Sequence, residues 1–381
     1  MRKRASFPLL CAVAAAASAF VPNGATADDT FPDEGYGSAF LAQLSTNYVK
    51  ATKVDEGLLQ RLDNSKGKYL PMIGGEDMLF RLTHDDGTYE HLHVFTNTLG
   101  KTLSLQDGYV IKDATIFLIA GGGGGGTQGG GGGGGGGLVR VEGVRMRSGD
   151  YAVEVGVGGK AGYRSAYNAW TSQAAHNGAD SVVTYMGLVV DELCRAIGGG
   201  RGASVTANGN TAEENALCSA AGSGGSGGGG GYLSTSPVPG TPGQGFEGGF
   251  KSSDGGACGG GGGAGGSGRT SGQGGVWGSG GAGGPGLDCD IMGFTQCFAG
   301  GGGGGVNETG SGGAAGSGGG GRGSNRSENA TAGSNGLGGG GGGGGSGSGG
   351  QCPQGGKGGD GIVIIRYKGD PKPTGLIIRV Q

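Results

Sequence analysis

Aromatic residues make up only 6% of this 381-residue chain, and hydrophobic residues only 34%. So small an apolar stock cannot fill the two or three cores that the length would permit, which excludes a conventional large globular core. Proline is scarce too, at 11 residues. That scarcity, with glycines in blocks and not at every third position, excludes collagen. No apolar run of 18 residues occurs beyond the extreme N-terminus, so no membrane-spanning helix is expected. Four histidines leave little for general acid–base catalysis. No C-x-x-C pair occurs, so zinc-ribbon and thioredoxin chemistry lack their residues.

Glycine is what fills the chain. It accounts for 106 residues, about four times the ordinary share of roughly 7%. Residues 121–360 hold 93 of these, residues 28–120 hold nine, and three follow residue 360. This segregation divides the chain into four parts. Residues 1–27 read as a secretory signal, with Arg2, Lys3 and Arg4 ahead of an apolar stretch and Ala25-Thr26-Ala27 as a small-x-small cleavage site. Residues 28–89 form an N-terminal module or extension. Within it Phe40, Leu41, Leu44, Tyr48 and Val49 have helical spacing after Ser38. Residues 90–367 form the glycine-rich domain, and residues 368–381 a tail. Loss of the signal removes three basic residues and takes the net charge from −3 to −6, which disfavours nucleic acid as a partner.

Six cysteines remain after the signal: Cys194, Cys218, Cys258, Cys289, Cys297 and Cys352. An even number in a secreted chain points to three disulfides. Pairing nearest neighbours joins Cys194 to Cys218 and Cys289 to Cys297, leaving Cys258 with Cys352. Asn307, Asn325 and Asn329 each begin an N-x-S/T triplet, which marks residues 306–331 as a glycosylated surface loop.

The apolar residues that exist are arranged for strands. Leu92 and Val94 alternate with His91, His93 and Phe95. Residues 101–105 and 109–111 read as two further strands. The continuous run 114–120 reads as a strand buried on both faces. Val139 and Val141, then Tyr151, Val153, Val155 and Val157, alternate as half-exposed strands. Gly143 marks a bulge between these two, and Ser148-Gly149-Asp150 a turn. Residues 182–185 and 188–190 make a hairpin, and residues 362–367 a last strand.

Glycine runs occupy 121–126, 129–137, 227–231, 259–263, 300–305 and 338–345. Such tracts ordinarily behave as coil. Here, however, strands bracket them and cysteines interrupt them, which a linker does not require. The ordered alternative is polyglycine II, an extended helix with three residues per turn and about 3.1 Å rise. Lacking Cβ atoms, such helices can pack side by side and hydrogen-bond to their neighbours. Nine residues would then span about 28 Å.

The order of motifs resembles a known domain. Ile116-Phe-Leu-Ile-Ala-Gly-Gly-Gly-Gly-Gly-Gly126 is followed by Ser148-Gly-Asp-Tyr-Ala-Val-Glu-Val-Gly-Val-Gly-Gly159, and Gly358-Gly-Asp-Gly-Ile-Val-Ile-Ile-Arg-Tyr367 closes the set. It is similar to the glycine-rich domain of phage tail adhesins and bacterial surface proteins, and to the glycine-rich part of anaplastic-lymphoma-type receptor tyrosine kinases. The resemblance implies a mainly β fold with little α: a small β-scaffold carrying a polyglycine II bundle, with variable loops at the bundle ends that contact receptors; the six cysteines would make these loops disulfide-linked. Inserts at 160–180, 205–220, 232–256 and 285–299 lie outside the resemblance. They carry Tyr163, Tyr167, Trp170, Phe246, Phe250 and Phe294, the candidate recognition residues. The competing reading has these rings packing over the bundle as small local cores.

Little else carries chemistry. His91 and His93 share a strand face and could share a metal, but that face also reads as the solvent side of a half-buried strand. G-x-G-x-x-G and G-x-S-x-G patterns follow from glycine content alone and have no β-α-β context. The expectation is a secreted, non-enzymatic recognition or adhesion module without cofactor or metal. Its partner would be an extracellular protein or glycan surface. The alternative is a structural subunit of a coat, matrix or filament that binds copies of itself, with residues 375–381 adding a strand to a neighbour. An ice-binding bundle would need a flat regular face, which the charged inserts oppose.

Overall fold

The computed structural model describes residues 50–53, 72–73, 77–165, 171–233, 236–252, 257–272, 278–306, 310–325, 328–346, 352–369 and 372–373. The signal segment, the helical pattern at 40–49, Tyr167, Trp170, Asn307 and the tail beyond residue 373 lie outside these. The described fold is mainly β, with one short helix.

The chief sheet is antiparallel. It contains β1 (Lys50–Lys53), β3 (Met78–Thr83), β4 (Tyr89–Phe95), β11 (Ile362–Lys368), β5 (Lys101–Ile119), β6 (Leu138–Glu154), β7 (Ser181–Met186) and β8 (Val190–Ala196), in that spatial order. The short strands β2 (Met72–Ile73) and β12 (Lys372–Pro373) also pair with β5. Strands from before residue 90 therefore share a sheet with strands of the glycine-rich region. A separate two-stranded ribbon pairs β9 (Leu287–Cys289) with β10 (Gln296–Phe298).

The central strands are buried on both faces, so two cores flank them. Phe95, Ile116, Leu118, Val363 and Ile365 face one, while Leu92, Val94, Phe117, Ile119, Ile362 and Ile364 face the other. The alternation at 92–95 is as the sequence predicts, but the environment is not. His91 and His93 are only 3% and 1% exposed, because Tyr367 of β11 packs on both rings and the face they share is covered by the first core. The His93 Nε2 and Tyr367 Oη atoms lie 3.0 Å apart.

The strands expected at 101–105, 109–111 and 114–120 are one long strand. The stretch 106–108 that separates them is an irregularity in the β5–β6 register, which shifts between Leu105 and Val110. Likewise Ser148-Gly149-Asp150 is not a turn: β6 runs through it, with Asp150 opposite Ser104 and Gly149 at φ +127. Gly143 does mark a bulge. Three steps on β6, from Val141 to Val144, match two on β5, from Ile116 to Ala114. These irregularities let the ribbon bend. It doubles back so that Leu103, Tyr151 and Val153 from one half enter the same core as Ile116 and Leu118 from the other. Ser181 locks the closure. Its hydroxyl donates to the Ile119 carbonyl at 2.8 Å and accepts from the Gly156 amide at 2.9 Å.

The second core is covered by the β9–β10 ribbon and its turn, through Ile291, Met292, Phe294 and Phe298. Arg366 ties this cover down. It pairs with Glu90, itself only 4% exposed, and donates to the Ile291 carbonyl at 2.8 Å.

From one end of the sheet the chain runs directly into the glycine bundle. The segment 130–137 shows its nature. The amides of Gly131, Gly134 and Gly137 donate to the carbonyls of Ala203, Gly200 and Ile197. Those of Gly132 and Gly135 donate to Gly259 and Gly262, and those of Gly130, Gly133 and Gly136 to Gly344, Gly341 and Gly338. Every third residue thus meets the same neighbour, which is the three-fold symmetry of polyglycine II. The carbonyls of the same segment accept from 123–126, 226–229 and 302–305, so six chains surround it. The six glycine runs are buried throughout, and backbone groups satisfy one another across the lattice without α or β structure.

Candidate functional site: the two ends of the bundle

The bundle has a sheet end and a distal end. The distal end is capped by the turn Thr127–Gln128–Gly129, which reverses the chain between the segments 121–126 and 130–137. Gln128 adopts φ +54 there, and the inserts hold it from several sides. The Thr127 amide donates to Ser204 Oγ at 3.1 Å, and Thr127 Oγ1 donates to the Pro353 carbonyl at 3.1 Å. The buried Arg164 guanidinium donates to Gln128 Oε1. Its backbone is clamped by Gln354, which accepts from the Arg164 amide at 3.1 Å and donates to its carbonyl at 2.7 Å.

Around this turn the inserts converge. Tyr163, 49% exposed, bridges to Gln173. Residue 172 is joined to 210 by a reciprocal pair of hydrogen bonds of 3.0 and 2.8 Å with the Asn210 side chain. Asn210 leads into α1 (Ala212–Ser219), whose start is fixed by Thr211 and Glu214 as a capping box. The Tyr232 amide donates to the Gly129 carbonyl at 3.3 Å. Lys251 stands 3.7 Å over the Tyr232 ring, beside half-buried Phe250. Asn329 is exposed and accepts from the Gln354 amide at 2.9 Å, whereas Asn325 is half-buried and accepts from Gly312.

Of the expected recognition residues, then, Tyr163 and Phe250 share the distal end, and Tyr232 joins them. Sequence reasoning passed over Tyr232, although it directly follows a glycine run, where the bundle must stop. Phe246 and Phe294 lie instead at the sheet end. Phe294 is 9% exposed and belongs to the second core, so its ring is not available to a partner. Phe246, 48% exposed, lines an apolar groove of about 280 Å³ with Leu138, Pro242, Ala264 and Leu287.

The cysteines divide in the same way, and all six are free thiols. This corrects the disulfide-linked loops expected from their even number. Cys194 lies in β8 at the sheet end, while Cys218 hydrogen-bonds near Ser172 at the distal end. About 20 Å of glycine helix separates those ends, and a disulfide needs Cα atoms within about 7 Å. In the β9–β10 ribbon Cys289 is opposite Gln296 and Cys297 opposite Asp288, so the two side chains leave on opposite faces. Cys258 donates to the Gly129 carbonyl at 2.8 Å, whereas Cys352 sits beside Thr127 Oγ1. Burial pushes the Cys258 thiol up to about 12 and also raises those of Cys218 and Cys352.

Among the described residues no three His, Cys, Asp or Glu side chains gather as a metal site, and no helix is long and apolar enough to cross a membrane. What the distal end offers is contact chemistry: rings, amides and a cation held on a rigid base. No curated protein matches the chain. A family of glycine-rich domains matches residues 98–368, from the start of the long β5–β6 ribbon to the end of β11, and the chain belongs to that family.

Proposed function

We propose that this protein is a secreted, non-enzymatic recognition or adhesion module whose bundle presents distal-end loops to an extracellular protein or glycan surface. One observation carries the reading. The exposed Tyr163 and Tyr232, with Phe250 and Lys251, flank the turn that closes the fully buried segments 121–126 and 130–137. Aromatic side chains on a base that loses no further freedom on contact favour binding, since little ordering entropy remains to oppose it. The resemblance of the motif order to phage tail adhesins supports the same reading.

The test is binding of the labelled protein to a glycan array and to intact cells, beside a Tyr163→Ala/Tyr232→Ala/Phe250→Ala variant of unchanged thermal stability. Saturable binding weakened at least tenfold in the variant is the expected result. Equal binding by both proteins would remove the distal end from consideration.

A further inference from the structure

Strand β8 ends the sheet. It pairs with β7 on one side, and among the described residues no strand pairs on its other side. Natural edges are usually blunted or covered. This edge is blunted at one end only. There the Gln244 side chain accepts from the Ile197 amide at 2.8 Å and donates to the Arg195 carbonyl at 3.2 Å. Among the described residues no such cap reaches residues 190–194.

Two apolar features flank the open stretch. At its start the β7–β8 hairpin tip exposes Met186, Leu188, Val189 and Val190 to solvent, where a turn is ordinarily polar. At its end, with Gln244 in its wall, lies the groove of Leu138, Pro242, Phe246, Ala264 and Leu287. A seven-residue strand puts the knob and the recess roughly 20 Å apart on one edge. The charges between them are polar in sequence: exposed Asp191 and Glu192 come first and exposed Arg195 last.

An edge with a knob at one end, a recess at the other and opposite charges between is complementary to itself when reversed. We propose that β8 forms the interface of a two-fold dimer, its open edge pairing antiparallel with β8 of a second copy while each hairpin tip seats in the other copy's groove. The axis passes near Leu193, so that Asp191 of each copy lies opposite Arg195 of the other. The acidic start of each strand meets the basic end of the other, where Arg195 now holds Glu192 and Asp180 of its own chain at 2.6 and 2.8 Å. The same patch serves both copies, so the assembly closes at two. Because β8 continues into the bundle after Ala196, antiparallel pairing directs the two bundles away from each other. Two distal ends are then presented on opposite sides, an arrangement suited to bridging two surfaces. The inference is independent of what the distal end binds.

Sedimentation velocity of the purified protein across a concentration series tests it. The expected result is a monomer–dimer equilibrium that a Leu188→Glu/Val189→Glu variant shifts at least a hundredfold towards monomer, with unchanged thermal unfolding. Both substitutions are at exposed positions, but a second variant guards against misfolding. Leu193→Cys, at the axis, should give a covalent dimer on air oxidation in excess of the unsubstituted protein, and exposed Asp107→Cys should not. A monomer at all concentrations, an open series of larger species, a dimer unaffected by the tip variant, or absence of the Leu193→Cys cross-link would each overturn the proposal.

Discussion

Gly133 lies so close to Gly123 that a Cβ built on the former would stand 2.0 Å from the carbonyl oxygen of the latter. On the next faces of the same helix, Cβ atoms on Gly132 and Gly134 would meet the carbonyl oxygens of Gly302 and Ser226 at 2.0 and 2.3 Å. The obstacle in each case is backbone, which cannot rotate aside as a side chain can. Gly133→Ala should therefore cost about 3 kcal/mol or more, at the upper end of overpacking penalties. Gly231→Ala is the comparison. Its nearest contact is the Ala203 Cβ at 3.1 Å, and the loss should stay near 1 kcal/mol or below. Chemical denaturation of the two variants measures the difference, and equal stabilities would contradict the close-packed lattice.

The lattice also predicts slow hydrogen exchange. The amides of residues 130–137 donate at 2.8–3.0 Å to buried carbonyls on three neighbouring segments, so none can open without parting neighbouring chains. Exchange measured by NMR should leave these glycines protected at least as long as the amides of β11. Exchange within the dead time would show that the runs behave as coil.

Ser181 holds the doubled ribbon shut through two buried hydrogen bonds, one each way. Ser181→Ala removes both and strands the Ile119 carbonyl and the Gly156 amide without that partner. A loss of about 2–3 kcal/mol is expected, read as a lowered denaturant midpoint with an unchanged slope.

Stability should fall at alkaline pH. Burial pushes Cys194, Cys258 and Tyr151 up to about 12, from ordinary values of 9.0 for the thiols and 10.0 for the phenol. Above about pH 9 the unfolded chain releases these protons while the native chain retains them. Their contribution is thus fully present below pH 9 and is lost as the pH rises towards 12. Thermal unfolding between pH 8 and 11 should show a falling midpoint, and Cys258→Ala should flatten the fall. An invariant midpoint over that range would contradict the buried thiols.

Local pattern made the strands legible. The alternation at 92–95, the bulge at Gly143 and the hairpin around Met186-Gly187 could all be read because a strand's period of two is a property of adjacent residues. The same locality misled at 106–108 and 148–150. Glycine in a bent ribbon and glycine in a turn look alike until the partner strand is known. The environment of His91 and His93 was hidden because it depends on β11, more than 260 residues further on. Of the candidate rings, Tyr163 and Phe250 lie at the distal end of the bundle, while Phe294 serves a core that no local pattern announces. The exposed tip at Leu188 and Val189 carried a readable signal, an apolar pair where a turn should be polar.

From the sequence alone the glycine runs could be read as ordered helices with three residues per turn, against the coil that such tracts ordinarily form. Only a residue without Cβ can take that packing, and strands on both sides leave the runs little room to be linkers. Tertiary structure alone decided which run neighbours which. All glycine segments are chemically alike, so their lattice positions follow from where the sheet releases each strand and where the turns return it. It also decided that Cys194 and Cys218 lie at opposite ends of the bundle. The even number of cysteines could be counted from the sequence, but the length of bundle between Cys194 and Cys218 could not.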